Sequence, residues 1–161
     1  MSGSGAVSGS PTGGSAAGGS PAGGSPAGGR TAGAAVRRVP FEYALLRAVP
    51  RVDRGECVNV GVIVYCQARD FIGARIHLDA DRLRALDPAV DLEAVAAALD
   101  GVVSVCTGGD GGGRPGRTRP RERFGWLTAP RSTVVQPGPV HAGITEDPQA
   151  ELGRLLAALV R

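Results

Sequence analysis

The ten residues CVNVGVIVYC, from Cys57 to Cys66, decide the fold. On a strand, alternate side chains place Asn59, Ile63 and Tyr65 on one face and four valines on the other, so both faces are mostly apolar. An apolar run rich in Val and Ile is typical of a strand that is covered on both faces. The β-branched residues also favour a strand over a buried helix. This stretch therefore predicts a strand inside the sheet.

Two apolar runs on either side predict its neighbours. Residues 41–49 are mostly apolar, with Arg47 interrupting one face, and residues 71–78 have one apolar face and a second face made of Phe71, Gly73, Arg75 and His77. Because the second run is half polar, we expect its polar face to reach solvent or a cleft. The connections are short and rich in turn-forming residues, which favours an antiparallel meander of three strands.

Capping residues predict the helices. Asp79 or Asp81 caps a short helical turn, and Asp91 caps a longer helix with one apolar stripe. Asp147, followed by Pro148 at the first helical position, begins an amphipathic terminal helix.

The intervening stretch is less regular. Residues 107–120 are rich in Gly and Pro and predict a flexible loop. Trp126 is the only tryptophan, and its apolar neighbours predict a core anchor. Residues 133–136 predict a strand that adds to the sheet, and the prolines after it leave residues 137–143 as extended coil or a sheet edge.

These elements predict an α+β fold. Residues 39–161 form one small domain, in which a mostly antiparallel sheet, made of the meander plus a later strand, packs with two or three helices. Residues 1–38 contain almost no apolar residue larger than Ala and include tandem five-residue repeats such as SPAGG. Burial of such residues does not offset the entropy of ordering a chain, so we predict a disordered tail rich in Gly, Ser, Pro and Ala.

The charge and cysteine content narrow the function. All 18 basic residues are Arg, and the three that lie in residues 1–38 account for the net charge of +3. The predicted domain is formally neutral, which argues against nucleic acid as a partner. No signal peptide or membrane span is expected, and an odd number of cysteines, three, suits a reducing compartment. We expect a cytoplasmic protein.

Two patterns in the Gly-rich loop carry little weight. Gly111, Gly113 and Gly116 match G-x-G-x-x-G, but the match follows a helix and contains Pro115, so no cofactor is expected. The alternating arginines of residues 114–123 leave two readings open, a solvated basic loop and a phosphate-contacting patch.

A buried amide defines the candidate site. Asn59 lies in mid-strand and needs a partner, which is either a backbone group across the sheet or in the loop 50–56, or a polar cleft. The residues of this candidate cleft are Arg47, Arg51, Asn59, Arg75, Arg131, Ser132 and His141. Its guanidinium groups suit an anionic ligand, a nucleotide or an acidic segment of a partner. Catalysis with Ser132 as nucleophile and His141 as base stays an alternative, and no metal-ligand spacing is present.

Several phrases together resemble a known family. They are FEYALLRAVPRVDRGECVNVGVIVYC (41–66), GARIHLD (73–79), ERFGWLTAPRSTVVQPGPVHAGI (122–144) and the final EDP (146–148) with its helix. From about Phe41 to the C-terminus the chain resembles DUF3037, a bacterial family of unknown function. The resemblance implies a cytoplasmic α+β domain without an assigned activity. It also implies a partner, because the family is associated with genes next to HipA-like kinase-fold proteins.

Three functions follow as hypotheses. The first is a non-enzymatic protein-interaction or regulatory domain that binds its partner through the half-polar face of the sheet or an adjacent groove. The second is a binder or enzyme that acts on a phosphorylated or nucleotide ligand through the candidate cleft. The third is nucleic-acid binding through residues 114–123.

Overall fold

The computed structural model describes residues 37–161, so nearly all of the tail predicted over residues 1–38 lies outside the described residues. The described strands are β1 (Val39–Ala48), β2 (Val58–Cys66), β3 (Phe71–Ile76) and β4 (Val135–Thr145). The helices are α1 (Ala80–Leu86), α2 (Leu92–Thr107), α3 (Gly113–Gly116), α4 (Pro120–Thr128) and α5 (Pro148–Leu159). Two 3-10 turns, Gln67–Arg69 and Asp110–Gly112, complete the fold.

The four strands form one antiparallel sheet in the order β3-β2-β1-β4. The first three strands are the predicted meander, and β4 returns from late in the chain to pair with β1. This arrangement confirms the predicted α+β class and a mostly antiparallel sheet with a later strand.

The central strand β2 is covered on both faces, as its composition predicts. Val60, Val62, Ile63 and Val64 have no exposed surface. Val60 and Ile63 belong to a core shared with α1, α2 and α4, which we call the α2 layer, whereas Val62 and Val64 pack against α5. Burial of each such side chain stabilises the fold by about 1.5–3 kcal/mol.

The predicted helix caps are present. The Asp79 carboxylate accepts hydrogen bonds from the backbone N–H groups of Asp81 and Arg82, which settles which aspartate caps α1. The Asp91 carboxylate accepts from Ala94 N at 2.9 Å, and the Asp147 carboxylate accepts from Gln149 N at 2.8 Å. Each cap satisfies a backbone donor that the helix itself leaves unpaired.

The half-polar face of β3 reaches solvent at Arg75, as one of the two expectations stated. Helix α5 covers the rest of it only in part, and a Cβ added to Gly73 would lie 3.1 Å from the Leu152 side chain. Arg75 is the exposed residue of the strand, and its guanidinium runs over Gly153 of α5. The amphipathic helix at the end of the chain supplies the apolar surface that this face of the sheet needs.

Residues 107–120, predicted as a loop, contain a 3-10 turn and the short helix α3. Gly112 and Gly116 are buried, and their added Cβ atoms would lie 2.9 Å from Ser104 O and 2.6 Å from Gly109 O. Gly112 therefore packs against the end of α2 and Gly116 packs against Gly109 within the segment, and neither position leaves room for a side chain.

Helix α4 and the position of Trp126 also differ from the prediction. Phe124 and Leu127, three residues apart, are buried in the α2 layer. Trp126 lies beside that buried stripe and is 48% exposed, so it is not a core anchor.

Strand β4 is longer than expected. It begins at Val135 and continues through Pro137 and Pro139 to Thr145, where residues 137–143 were expected to be coil or a sheet edge. The edge alternative is the correct one. The prolines fit because β4 is the last strand of the sheet, where a missing N–H on the outer side breaks no ladder.

Candidate functional site

The α5 side of the sheet holds two of the predicted cleft residues as neighbours. Arg47 on β1 is paired with Asn59 on β2, and both side chains are half-buried. Asn59 Nδ2 donates to Leu159 O at 3.0 Å, so the end of α5 satisfies the amide. This backbone partner is neither of the two that the sequence suggested, because the position of α5 over the sheet cannot be read from local sequence.

Two further predicted residues lie on the same side but not beside this pair. Arg75 follows the middle of α5 at Gly153. His141 is exposed on β4, opposite Tyr43, and the two rings lie 5.2 Å apart.

Arg51 is separate from both groups. It lies in the loop before β2 and forms an ion pair with Asp53 at 2.6 Å. The hydrogen bond to Asp53 raises the pKa of Arg51, and both side chains are exposed.

Arg131 belongs to the opposite layer. Its guanidinium lies 4.8 Å from the centre of the Trp126 ring and donates to the carbonyls of Trp126 and Ala129, at the end of α4. Ser132 follows in an exposed position. Arg131 thus caps a helix, which leaves fewer of its donors for an anion.

The seven predicted residues are therefore distributed over two layers and a loop. The Ser132 and His141 pair is also separated by β4, because the run from Val135 to His141 alone extends about 20 Å. Only two residues lie between Ser132 and Val135, too few to return the hydroxyl to the imidazole.

Capping of helix C-termini is the shared role of several arginines. Arg82 Nη1 donates to Val160 O at 3.0 Å, just after α5, and Arg123 Nη1 donates to Cys106 O at 2.7 Å, at the end of α2. With Arg131 on α4, three helices end against a guanidinium group. A cation at this end also complements the helix dipole.

The alternating arginines of residues 114–123 are mostly engaged in the fold. Arg117 forms an ion pair with Asp110 at 2.8 Å, and Arg121 forms one with Glu42 at 3.4 Å. Arg123 caps α2. Within residues 37–161, only Arg114 and Arg119 of this series have side chains without any hydrogen bond or ion pair, which weakens the reading as a phosphate-contacting patch.

The cysteines are dispersed. Cys57 is exposed, whereas Cys66 and Cys106 are buried, and burial raises the pKa of the Cys106 thiol to about 12. The described residues contain no group of three or more His, Cys, Asp or Glu side chains placed to hold a metal ion.

The exposed indole borders a groove that the sequence did not indicate. We call it the Trp126 groove. Its volume is about 240 Å³, and its lining residues are Ala98, Gly101, Val102, Val105, Gly111, Gly112, Trp126 and Arg131. One face of α2 forms the floor, and the indole with its stacked guanidinium forms a wall. Small-molecule pockets usually have about 300–1,000 Å³, so the groove suits a single side chain more than a whole ligand.

Gly101 keeps the floor of the groove open. It lies inside α2, where glycine costs about 1 kcal/mol relative to alanine. No tight packing requires it, because an added Cβ would meet nothing within 4 Å. What glycine contributes here is free space beside Trp126. Two features of the sequence could have indicated this groove. Gly101 is a glycine in the middle of a helix, and Trp126 precedes the buried Leu127 and so lies beside the buried stripe of its helix.

By its fold and this groove, the protein is a small three-layer α+β domain with an open apolar groove on one helical layer. None of the helices in the described part of the chain is long and apolar enough to cross a membrane.

A match to a family model identifies the family of this chain. Residues 43–160 match the family described as "Protein of unknown function (DUF3037)", and the chain belongs to that family. No curated protein matches the chain, and no solved structure matches it.

Proposed function

We propose that this domain is a non-enzymatic protein-interaction domain, whose partner inserts an apolar side chain into the Trp126 groove. The observation that carries the proposal is the half-exposed indole beside a helix floor that Gly101 leaves open. A regulatory role would follow from control of the bound partner.

The composition of the groove supports binding of a protein. Trp and Arg are enriched among the interface residues that contribute most to affinity, and Trp126 and Arg131 are already stacked in one arrangement. A wall that is ordered before binding loses little conformational entropy in the complex. The Nη1 group of Arg131, which the helix cap does not use, suits a carboxylate next to the inserted side chain.

The first candidate partner is the HipA-like kinase-fold protein that the family resemblance implies. Calorimetric titration of the full chain with that protein should give a dissociation constant, and Gly101→Gln should weaken binding at least tenfold by filling the groove. Gly125→Gln is the matched control, because Gly125 is an exposed glycine of α4 that also has open space but does not line the groove. Trp126→Ala should weaken binding by about thirtyfold, the effect of losing about 2 kcal/mol at a central interface residue.

Equal affinity of Gly101→Gln and Gly125→Gln for a partner that binds the wild type would contradict the role of the groove. Absence of binding to the HipA-like protein alone would reject that partner. The groove would then be tested against proteins captured with the wild-type chain, with the same pair of variants deciding the outcome.

A second candidate function rests on Arg47. Its half-buried guanidinium forms no hydrogen bond or ion pair with any residue from 37 to 161, and it lies over Gly138 of β4, where an added Cβ would be 3.2 Å from Nε. A free guanidinium in that position suits an anionic ligand such as a phosphorylated metabolite or nucleotide. Such ligands should raise the melting temperature of the wild type but not of Arg47→Gln. An equal shift in both proteins would reject Arg47 as the site.

We also propose a bacterial cytoplasmic location. The three cysteines in the chain are free thiols, which is the usual state in a reducing compartment. Fractionation of the native host, with detection of the untagged chain, tests this location.

A further inference from the structure

The outer edge of β4 is open in the described part of the chain. β4 is the last strand of the sheet, and no strand within residues 37–161 pairs with its outer side. An unpaired edge presents a row of backbone donors and acceptors that fit another strand.

Only half of this edge is protected. Pro137, Pro139 and a register irregularity opposite Leu45 occupy its first part, and these are features that normally block pairing. The second part, Val140 to Thr145, has neither a proline nor a charged residue. Val140 is 44% exposed and Ile144 is 66% exposed.

The other edge of the sheet differs. β3 has six residues, has helices α2 and α5 packed on its two faces, and contributes no large exposed apolar residue. Of the two edge strands described, β4 is therefore the one that exposes large apolar side chains.

We propose that β4 pairs antiparallel with β4 of a second copy of this chain, around a two-fold axis at Ala142. An axis perpendicular to the sheet keeps every residue on its own face, and an antiparallel pair places residues of the same face opposite each other. With Ala142 opposite its own copy, Val140 lies opposite Ile144 on both sides of the axis. The result is one continuous sheet of eight strands.

The sequence of β4 favours this register over its neighbours. The residues Val140, Ala142 and Ile144 lie on one face of β4. Their partners on β1 are the alternate residues Ala44, Glu42 and Pro40, in that order. Moving the axis to Gly143 would place Val140 opposite Glu146, and moving it to His141 would place Ile144 opposite Gly138. Only the axis at Ala142 pairs the two large apolar residues with each other, and pairing then ends where Pro139 lacks a donor.

A second copy is the favoured occupant because the edge is complementary to itself. In the proposed register no charged residue lies opposite a like charge, and His141 lies opposite Gly143. A closed two-fold contact also uses the same edge on both copies, so it ends at a dimer and does not extend into a fibre.

The two-fold axis allows a charge-exchange test on the full chain under reducing conditions. Sedimentation velocity over a range of concentrations should show a wild-type dimer. Ala142→Lys and Ala142→Glu each place like charges opposite each other and should raise the dissociation constant at least about tenfold. An equimolar mixture of the two variants should restore dimers, because Lys then lies opposite Glu.

Val52→Lys is the control, since Val52 is 49% exposed in the loop between β1 and β2, which follows the end of β1 that pairs with Val135 and not the end that pairs with Ala142. It should leave the dimer unchanged, and circular dichroism checks that every variant is folded. A monomeric wild type at high concentration, or dimers of both Ala142 variants with wild-type affinity, would overturn the proposal. Weakened dimers that the mixture does not restore would overturn the axis at Ala142. None of these outcomes depends on the Trp126 groove, whose lining includes no residue of β4.

Discussion

Replacing Arg123 by alanine should remove the group that caps α2. Arg123 Nη1 donates to Cys106 O at 2.7 Å and to Val105 O at 3.3 Å. The side chain is half-buried and passes so close to Gly108 that an added Cβ there would lie 2.5 Å from Nη1. Without the guanidinium, two carbonyls at the end of the helix lose their partner.

The expected loss of stability follows from these contacts. A hydrogen bond to a charged group contributes about 1.5–3 kcal/mol, and the longer bond contributes less, so the two bonds together contribute about 2–4 kcal/mol. Arg123 Nε is buried without a hydrogen-bond partner among the described residues, and removing it recovers about 1 kcal/mol. The free energy of unfolding should therefore fall by about 1–3 kcal/mol, and the melting temperature by about 4–12 °C.

Urea unfolding followed by circular dichroism measures this change. Arg119→Ala is the matched control, because Arg119 is an exposed arginine four residues earlier and has no side-chain partner within residues 37–161. Its effect should stay within about 0.5 kcal/mol. If Arg123→Ala loses no more stability than Arg119→Ala, with the same dependence on urea, water replaces the guanidinium and the capping argument is wrong.

Three more outcomes are expected. Gly101→Ala should raise the free energy of unfolding by about 0.5–1 kcal/mol in urea titrations, because a methyl group there meets nothing and glycine is unfavourable in a helix. A thiol reagent at pH 8 should modify one cysteine in the folded chain, the exposed Cys57, and three in urea. Because burial raises the pKa of Cys106 from 9.0 to about 12, the unfolded thiol ionises first as the pH rises, so stability should fall between pH 9.0 and about 12. Over that range the fall should be smaller in Cys106→Ala, and equal slopes would contradict the burial of this thiol.

Local signals in the sequence were sufficient for most of the fold. The apolar run of β2 requires cover on both faces, and the structure supplies α2 on one and α5 on the other. The aspartates that cap α1, α2 and α5 act on backbone groups two or three residues away, so their role is visible in a short window.

The candidate cleft depended on long-range geometry, which a short window does not contain. Arg131 and Asn59 were expected to converge, yet each side chain bonds to backbone carbonyls at the end of a different helix. Whether a guanidinium meets a ligand or a carbonyl depends on where helix ends lie in three dimensions. Helix α4 was missed for a related reason, because no side-chain cap marks its start and its apolar pattern is weak.

Trp126 illustrates a limit of residue type as a guide. A large aromatic residue near Phe124 and Leu127 fits the core by composition, but only the latter two share the face that meets the sheet. The helical spacing of these residues would have separated the indole from them, had the helix been recognised.

The position of β1 has a consequence for folding. This strand forms a hairpin with β2 from residues that are close in sequence. On its other side it pairs with β4, where Val39 pairs with Thr145, a residue near the end of the chain. During synthesis β1, β2 and β3 are therefore complete while the other edge of β1 still has no partner strand. Closing such a distant pair is slow, and exposed flanks favour intermolecular association. Refolding should consequently have a late phase that reports the docking of β4, with a yield that decreases as protein concentration increases.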